Sequence, residues 1–288
     1  MNRLIDSHHH LWNYNAEQYG WINDEMQVLR QNFGTAELKQ ISEQSGVNGF
    51  VSVQARQSLE ETDKLLELAR KEELIRGVVG WVPLCSPDLD ATLDRYREAS
   101  LLKGVRHVVQ DEPDDRFLLR ADFNQGIKSL ANHNLVYDVL IYARQLPAAI
   151  EFVDLHPNQP MVLDHIAKPT IHRETFDTDW KKAFVELARR DNLTCKFSGV
   201  VTEVRDDQWD IETIRPYWET ALEAFTPKRL MFGSDWPVCL LKSKYDRWLA
   251  VLQKLASQLS SDEQEDFFSN NAIRAYQLDM NTSSLTSR

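Results

Sequence analysis

Three consecutive histidines, His8, His9 and His10, follow a short apolar run near the start of the chain. Side chains alternate across a strand, so His8 and His10 point to one side and His9 points to the other. Two imidazoles on one side can hold a metal ion or polarise a carbonyl group. A chance cluster of histidines is the alternative, and this pattern alone does not decide between them.

A carboxylate, Asp235, lies in the run Gly-Ser-Asp-Trp-Pro, far from these histidines in sequence. An aspartate in this context could simply cap a following helix. The next helical pattern, however, begins only near Ser243, which is too distant for a cap. We therefore interpret Asp235 as a carboxylate that acts in chemistry together with His8 and His10.

Short apolar runs alternate with amphipathic segments along the chain, as strands and helices do in α/β proteins. The strand-like runs lie near residues 3–7, 49–54, 75–82, 104–109, 135–140, 161–164, 194–198 and 229–233. The helix-like segments lie at 35–45, 58–72, 88–100, 122–133, 145–155, 178–190, 208–225 and 243–259. This alternation predicts either a closed barrel or an open doubly wound sheet.

Strand count and chain length favour the barrel. The 288 residues suit one α/β barrel, which typically has about 250 residues. No Gly-rich nucleotide motif follows any of the strand-like runs. We predict a single (β/α)8 TIM barrel over residues 1–276, with an extra C-terminal helix near 262–276 on its outside. A polar tail is predicted over residues 277–288.

In such a barrel the reactive groups lie where the strands end and the loops begin. Strand 4 ends near Arg106 and His107, and strand 5 contains Tyr137 and Asp138. Only one residue of each adjacent pair can face the lumen. We expect His107 rather than Arg106 to do so, whereas the choice between Tyr137 and Asp138 stays open. Strand 6 is expected to end at His165.

Composition and charge limit the classes of partner. The formal net charge of −11, without a basic cluster, disfavours nucleic acid. The longest apolar runs are too short to span a membrane, and the first residues lack the apolar core of a signal peptide. Three cysteines do not make a disulfide framework, so we expect a cytoplasmic protein. The oligomeric state stays open.

Seven segments in order resemble the amidohydrolase superfamily and, within it, the sugar-lactonase branch. They are DSHHHLW, VGWV, GVRHVVQDEPD, LVYDVLI, VLDHIAKP, KFSGVVTE and FGSDWPV, between residue 3 and about residue 240. Members of this branch open L-fuconolactone, L-rhamnonolactone or 2-pyrone-4,6-dicarboxylate lactone. The resemblance implies a hydrolase of carboxylic ester bonds whose substrate is a small sugar lactone.

The resemblance also implies roles for individual residues. Asp235 takes a proton from water and later gives it to the ring oxygen, which calls for the raised proton affinity that burial beside Trp236 can supply. His8, His10 and His165, or a metal that they hold, stabilise the oxyanion. The expected substrate contacts are His107, Tyr137, Lys168, Glu203, Trp12 and Trp236. For Trp12 and Lys168 the alternatives are ordinary packing in a loop and a place on the surface.

The expected metal content is at most one ion. Two-metal members of the superfamily use a Lys or Glu on strand 4 and a His on strand 5, whereas this chain offers His107 and then Tyr137 or Asp138. Zinc or manganese suits a site with imidazole and carboxylate ligands. The ligands are then His8, His10, His165 and Asp235. Whether the ion is required stays open, because pyrone-dicarboxylate lactonases work without metal.

Two other functions are compatible with the same residues. One is a metal-dependent decarboxylase of a neighbouring family, and the other is a sugar-binding barrel without activity. Among lactones, the acidic run QDEPDD after strand 4 favours a neutral polyhydroxy substrate over a dianionic pyrone, which needs convergent arginines. The run could equally be a solvated loop.

Overall fold

The computed structural model describes residues 3–280, and within them eight parallel strands follow one another in sequence order around a barrel. The strands are β1 Ile5–His9, β2 Gly49–Val53, β3 Ile75–Gly80, β4 Leu102–His107, β5 Val136–Val139, β6 Met161–Leu163, β7 Leu193–Phe197 and β8 Leu230–Phe232. Each predicted strand overlaps an observed one. The predicted (β/α)8 TIM barrel is confirmed.

Eight main helices surround the strands. They are α1 Thr35–Ser45, α2 Leu59–Lys71, α3 Leu89–Arg95, α4 Ala121–Leu130, α5 Leu146–Leu155, α6 Thr178–Leu187, α7 Ile211–Arg229 and α8 Tyr245–Ala256. The Ser58 side chain accepts a hydrogen bond from the Glu61 N–H and caps α2. No helix within residues 3–280 has the length and apolar character needed to cross a membrane.

The C-terminal segment packs first against the outside of the barrel and then, through its last helix, closes one end of it. Its helices are α9 Ser261–Glu265 and α10 Asn271–Tyr276, joined by a π-helical turn. Ala272, Tyr276 and Leu278 pack in one buried cluster with strand residues that include Val51 and Val162. The expectation that this segment covers the outside of the barrel holds for its first part, where Phe267 packs edge-to-face on Trp218 of α7. It is wrong for α10, which closes the end of the barrel. An apolar helix face shows that a helix packs, but not which surface it packs against.

The predicted tail begins inside this cluster. Leu278, only two residues after α10, is 6% exposed and packs against the barrel interior. The remainder of the predicted tail, residues 281–288, lies outside the described residues. The packed part of the chain therefore extends beyond residue 276.

The barrel closes where β1 meets the segment that follows β8. The backbone N–H of Asp235 donates to the His8 carbonyl at 2.8 Å, and the N–H of His10 donates to the Trp236 carbonyl at 2.7 Å. These parallel-strand hydrogen bonds place residues from the two ends of the barrel sequence side by side. We call this contact the closing seam.

Asp6 holds the closing seam with a fully buried carboxylate. Its Oδ1 accepts hydrogen bonds from the backbone N–H groups of His8, at 3.1 Å, and Ser234, at 2.9 Å. Its Oδ2 accepts from the Tyr245 hydroxyl at 3.0 Å. Burial raises the pKa of Asp6 to about 6, against the lowering effect of these hydrogen bonds.

Replacement of Asp6 tests its role at the closing seam through the pH dependence of stability. The pKa of Asp6 in the folded chain, about 6, lies above the value of 3.8 for an exposed aspartate. Ionisation therefore disfavours the folded state as the pH rises between these two values, by on the order of 3 kcal/mol. Asp6→Asn keeps an acceptor oxygen without the charge. As the pH rises over that interval, the free energy of unfolding of Asp6→Asn should therefore increase relative to that of wild type.

Asp6→Ala is the control for the hydrogen bonds. It leaves two buried N–H groups without their acceptor and should cost about 2–4 kcal/mol. Chemical denaturation between pH 4 and pH 8 measures both variants. A difference between wild type and Asp6→Asn that does not change with pH would contradict the assignment.

Candidate active site

Three imidazoles and one carboxylate lie close together at the C-terminal end of the strands. His8 Nε2 and His10 Nε2 are 3.2 Å apart. Asp235 Oδ1 lies 3.7 Å from His8 Nε2, 3.3 Å from His10 Nε2 and 4.0 Å from His165 Nε2. All four residues are buried. The structure thus brings together the residues that the sequence analysis assigned to the chemistry.

The backbone of β2 orients the His10 ring. His10 Nδ1 lies 2.8 Å from the carbonyl oxygen of Val53. Because a carbonyl oxygen can only accept, Nδ1 carries the proton in this contact. The other ring nitrogen, Nε2, therefore faces His8 and Asp235. This is the arrangement in which a histidine binds a metal or accepts a proton.

His8 and His165 are neutral imidazoles near neutral pH. Burial lowers the pKa of His8 well below its ordinary value and lowers that of His165 to about 4, although nearby carboxylates oppose both shifts. His165 Nδ1 lies 3.0 Å from the Ser198 hydroxyl. Neutral rings leave nitrogen lone pairs free to act as ligands or bases.

The Asp235 side chain is ionised near neutral pH, so it carries no proton that it could donate. Burial acts to raise its pKa, but the His165 and His10 rings and the Lys168 ammonium outweigh this effect, so the pKa lies below its ordinary value. The expectation that burial beside Trp236 raises the proton affinity of Asp235 is therefore wrong. A buried carboxylate beside neutral imidazoles suits a base or a metal ligand.

A left-handed turn directs His165 and Lys168 into the site. The four residues His165–Lys168 have φ values of 54°, 48°, 59° and 47°. Non-glycine residues in this region cost about 1 kcal/mol or more each, which surrounding contacts must offset. One such contact is the hydrogen bond from Trp180 Nε1 to the Ile166 carbonyl, at 2.7 Å.

Gly199 occupies a place that no side chain can share. Its φ is 63°, and an added Cβ would lie 2.5 Å from His165 Nδ1 and 2.9 Å from Asp235 Oδ2. Both the backbone conformation and the space therefore require glycine at this position. The absence of a side chain lets the His165 ring approach the carboxylate.

His8 Nε2, His10 Nε2 and Asp235 Oδ1 form a donor set that fits one divalent cation. In a tetrahedral zinc site with bonds of about 2.0–2.1 Å, ligand atoms lie about 3.3 Å apart. The three separations here, 3.2, 3.3 and 3.7 Å, are close to that spacing. His8, Asp164 and His165 form another candidate group. In that group, however, Asp164 forms ion pairs with both Arg106 and Lys196. In the first set Arg106 Nη1 approaches His8 Nε2 at 3.3 Å, but no ion pair with a lysine or arginine occupies the Asp235 carboxylate among the described residues, so the first set fits better.

An open cavity of about 620 Å³ lies over this donor set. Its lining includes His10, Trp21, Arg56, Arg106, Asp111, Tyr142, His165, Lys168, Glu203, Arg205 and Asp235. Lys168 and Glu203 therefore lie where the sequence analysis expected substrate contacts. Glu203 is buried, and its Oε2 is 3.1 Å from Arg205 Nη2.

The lumen-facing residue of β4 is Arg106, which reverses the expected orientation of this pair. Its Nη1 lies 2.9 Å from Asp164 Oδ2, and it lines the cavity. His107 points to the helices, where its ring stacks on Phe117 and its Nε2 lies 2.7 Å from Glu112 Oε1. The expected substrate contact at His107 is therefore wrong. Both side chains are polar, so polarity could not reveal the register of the strand.

Strand β5 presents Asp138, and not Tyr137, to the lumen. The Tyr137 ring is fully buried between Phe123 and Phe152 on the helix side of the strand. Asp138 Oδ2 lies 2.6 Å from Lys196 Nζ inside the barrel. Tyr137 therefore cannot serve as the expected substrate contact.

The expected aromatic contacts also lie behind the cavity wall. Trp12 is 1% exposed, and its Nε1 donates to the Gln31 carbonyl at 2.9 Å. Trp236 is buried against Phe33. The tryptophan that does line the cavity is Trp21, which is 38% exposed and packs edge-to-face on Trp12.

Lys196, a fully buried lysine near the end of β7, was not among the residues predicted from the sequence. Its position carried a usable signal, because Lys196 lies two residues before Ser198 and so shares its face of the strand. Arg56 and Arg205 also line the cavity from loops. No periodic pattern distinguishes such loop cations from surface residues.

Comparison with known proteins finds relatives that match nearly the whole chain. The chain matches the amidohydrolase family over residues 5–278. It is 40% identical to an L-fucono-1,5-lactonase of Burkholderia multivorans, over 95% of this chain and 96% of that protein. It is 32% identical to an L-fucono-1,5-lactonase of Burkholderia ambifaria, over 97% of each.

Crystal structures of an amidohydrolase from Burkholderia multivorans have the same fold and 39% identity, and they cover 96% of this chain and 100% of their own. The form with bound HEPES superimposes with a TM-score of 0.92, and the form with bound zinc with a TM-score of 0.91. The family match spans nearly the whole described barrel and includes every residue of the site. The chain belongs to the amidohydrolase family.

Proposed function

We propose that this protein hydrolyses a sugar lactone, similar to L-fuconolactone, to the corresponding sugar acid. The observation that carries the proposal is the convergence of His8, His10 and Asp235 on one point below an open cavity. The lactonases among the relatives support the choice of a lactone over other esters and amides. The product is a carboxylate, so the reaction releases a proton near neutral pH.

The donor set suggests a resident divalent ion, zinc or manganese. Held by His8, His10 and Asp235, with His165 nearby, such an ion would lower the pKa of a water molecule and polarise the lactone carbonyl. A zinc-bound relative supports this assignment. In this proposal Asp235 accepts the proton of the attacking water; its lowered pKa and its position beside His8 and His10 support that role.

The lowered pKa of Asp235 also suits the second half of the reaction. Once protonated, a carboxyl group with a low pKa gives up its proton readily, and the departing ring oxygen is a strongly basic alkoxide. Lys168 lies at the same wall of the cavity, and its charge contributes to the lowered pKa values of His165 and Asp235. We assign Lys168 to stabilising negative charge on the substrate.

The cavity wall favours a neutral, hydroxyl-rich substrate. Its cations are paired: Arg56 with Glu61, Arg106 with Asp164, and both Lys168 and Arg205 with Glu203. Paired cations supply hydrogen-bond donors for hydroxyl groups but little net positive charge for a dianion. The exposed face of Trp21 offers an apolar surface for the C–H side of a sugar ring.

We also place the protein in the cytoplasm. Cys85, Cys195 and Cys239 are all unpaired in the described part of the chain. Burial raises the pKa values of the Cys195 and Cys239 thiols well above their ordinary value, so these groups are unreactive. Unpaired cysteines are typical of proteins in a reducing compartment.

A panel of lactones tests the reaction directly. In a pH-indicator assay we expect proton release from L-fuconolactone or a closely related aldonolactone, and none from 2-pyrone-4,6-dicarboxylate. Treatment with a chelator should abolish the rate, and zinc or manganese should restore it. Carbon dioxide release from aromatic acids, without lactone hydrolysis, would identify a decarboxylase instead.

Asp235→Asn tests the assigned base. Removing the carboxylate should lower kcat by roughly 10²–10⁴-fold, while circular dichroism shows an intact fold. Asp111→Asn is the matched control, because Asp111 also lines the cavity but lies outside the donor set. Near-normal turnover by Asp235→Asn would refute the assignment. Lactone binding without turnover by wild type would identify a sugar-binding barrel.

A further inference from the structure

A chain of buried polar groups runs through the barrel from its closed end to the site. Tyr276 Oη donates to Asp138 Oδ2 at 2.7 Å, and Lys196 Nζ donates to the same oxygen at 2.6 Å. Lys196 Nζ also lies 3.0 Å from Asp164 Oδ1 and 3.2 Å from His8 Nδ1. We call Tyr276, Asp138, Lys196 and Asp164 the interior ladder.

Stability alone does not account for the interior ladder. Asp138, Asp164 and Lys196 are all 0% exposed. Burial of each charge costs several kcal/mol, and apolar residues of similar volume are often as stable or more so. The neighbouring layer of this barrel interior is filled by apolar side chains, among them Val51 and Val162. The charged layer therefore calls for a role beyond packing.

The interior ladder ends at the imidazole of His8, which is one ligand of the proposed metal site. For His8 Nε2 to bind an ion, its Nδ1 must carry the proton. Asp164 Oδ1 lies 3.3 Å from that Nδ1 and can accept its hydrogen bond, whereas the Lys196 ammonium, 3.2 Å from the same nitrogen, can only donate and so cannot pair with it. Lys196 holds the same carboxylate through Oδ1, and Arg106 holds it through Oδ2. The orientation of Asp164 thus depends on Lys196, which Asp138 and Tyr276 hold in turn.

We propose that Lys196 and Tyr276 are positioning residues: the interior ladder ties helix α10 to His8 and sets the affinity of the site for a divalent ion. The proposal rests on the proposed function only for the presence of that ion. It makes the C-terminal helix, which is remote from the cavity, part of the apparatus that orients the site.

Tyr276→Phe tests the ladder with the loss of one hydroxyl group. We expect the zinc dissociation constant, measured by competition with a chromophoric chelator, to rise about tenfold. Nitrogen NMR of the His8 ring should show a smaller fraction of the tautomer with a protonated Nδ1. Lactone turnover should show a lower kcat at limiting zinc, with KM unchanged.

Tyr96→Phe is the matched control. The Tyr96 hydroxyl donates to Asp63 Oδ1 at 2.9 Å, between two outer helices and outside the ladder. This variant loses the same type of hydrogen bond, so it should lose stability but keep the zinc affinity of wild type. Asp138→Asn is a second ladder variant, which keeps the side-chain shape and weakens the anchor of Lys196, and it should also bind zinc more weakly.

The outcomes separate this inference from the proposed function, since zinc binding needs no substrate. Weaker zinc binding in both ladder variants, with Tyr96→Phe unchanged, supports the ladder even if no lactone is hydrolysed. Wild-type affinity in Tyr276→Phe and Asp138→Asn would overturn it. An equal loss in Tyr96→Phe, or a wild-type protein that binds no zinc, would overturn it as well.

Discussion

The closing seam between β1 and the segment after β8 is the contact on which the site depends. The hydrogen bond from the Asp235 N–H to the His8 carbonyl places the carboxylate beside the imidazoles of the first strand. Residues from the two ends of the barrel sequence become neighbours only because the sheet closes on itself. The fully buried carboxylate of Asp6 hydrogen-bonds to this seam, and its raised pKa shows that burial disfavours the charged form.

The barrel interior changes from apolar to charged over two residues on several strands. Val136 is followed by Asp138 on β5, and Val162 by Asp164 after β6. The valines pack against helix α10, whereas the aspartates engage Lys196. Because side chains two apart share a face, each strand contributes first to the closed end and then to the site. Because the two layers adjoin, Tyr276 of α10 can hydrogen-bond to Asp138 in the charged layer.

Much of this architecture is readable from the sequence, because strand periodicity and the polar residues at strand ends are local signals. The eight strands and the meeting of His8, His10, His165 and Asp235 follow from them. Local signals do not determine which face a strand presents when two adjacent residues are both polar, as at Arg106 and His107. β1 adds a further difficulty, because its pairing with β2 is irregular between Asp6 and His9, and strict alternation fails there.

Other features depend on tertiary contacts that no sequence window contains. The left-handed turn at His165–Lys168 goes against the local preference of its residues and is held in part by Trp180 from another element. Lys196 lies in a buried strand, and its charge is balanced by two aspartates that only the fold brings to it. In each case the exception to a local rule lies at or beside the candidate site.

The central claim is that His8 Nε2, His10 Nε2 and Asp235 Oδ1 share one ion at the floor of the cavity. Anomalous diffraction at the zinc edge, from crystals grown with zinc, tests it most directly. We predict a single strong peak at about 2.0–2.2 Å from each of the three atoms. A peak bound to other residues, or fully active crystals without a peak at this position, would contradict the account.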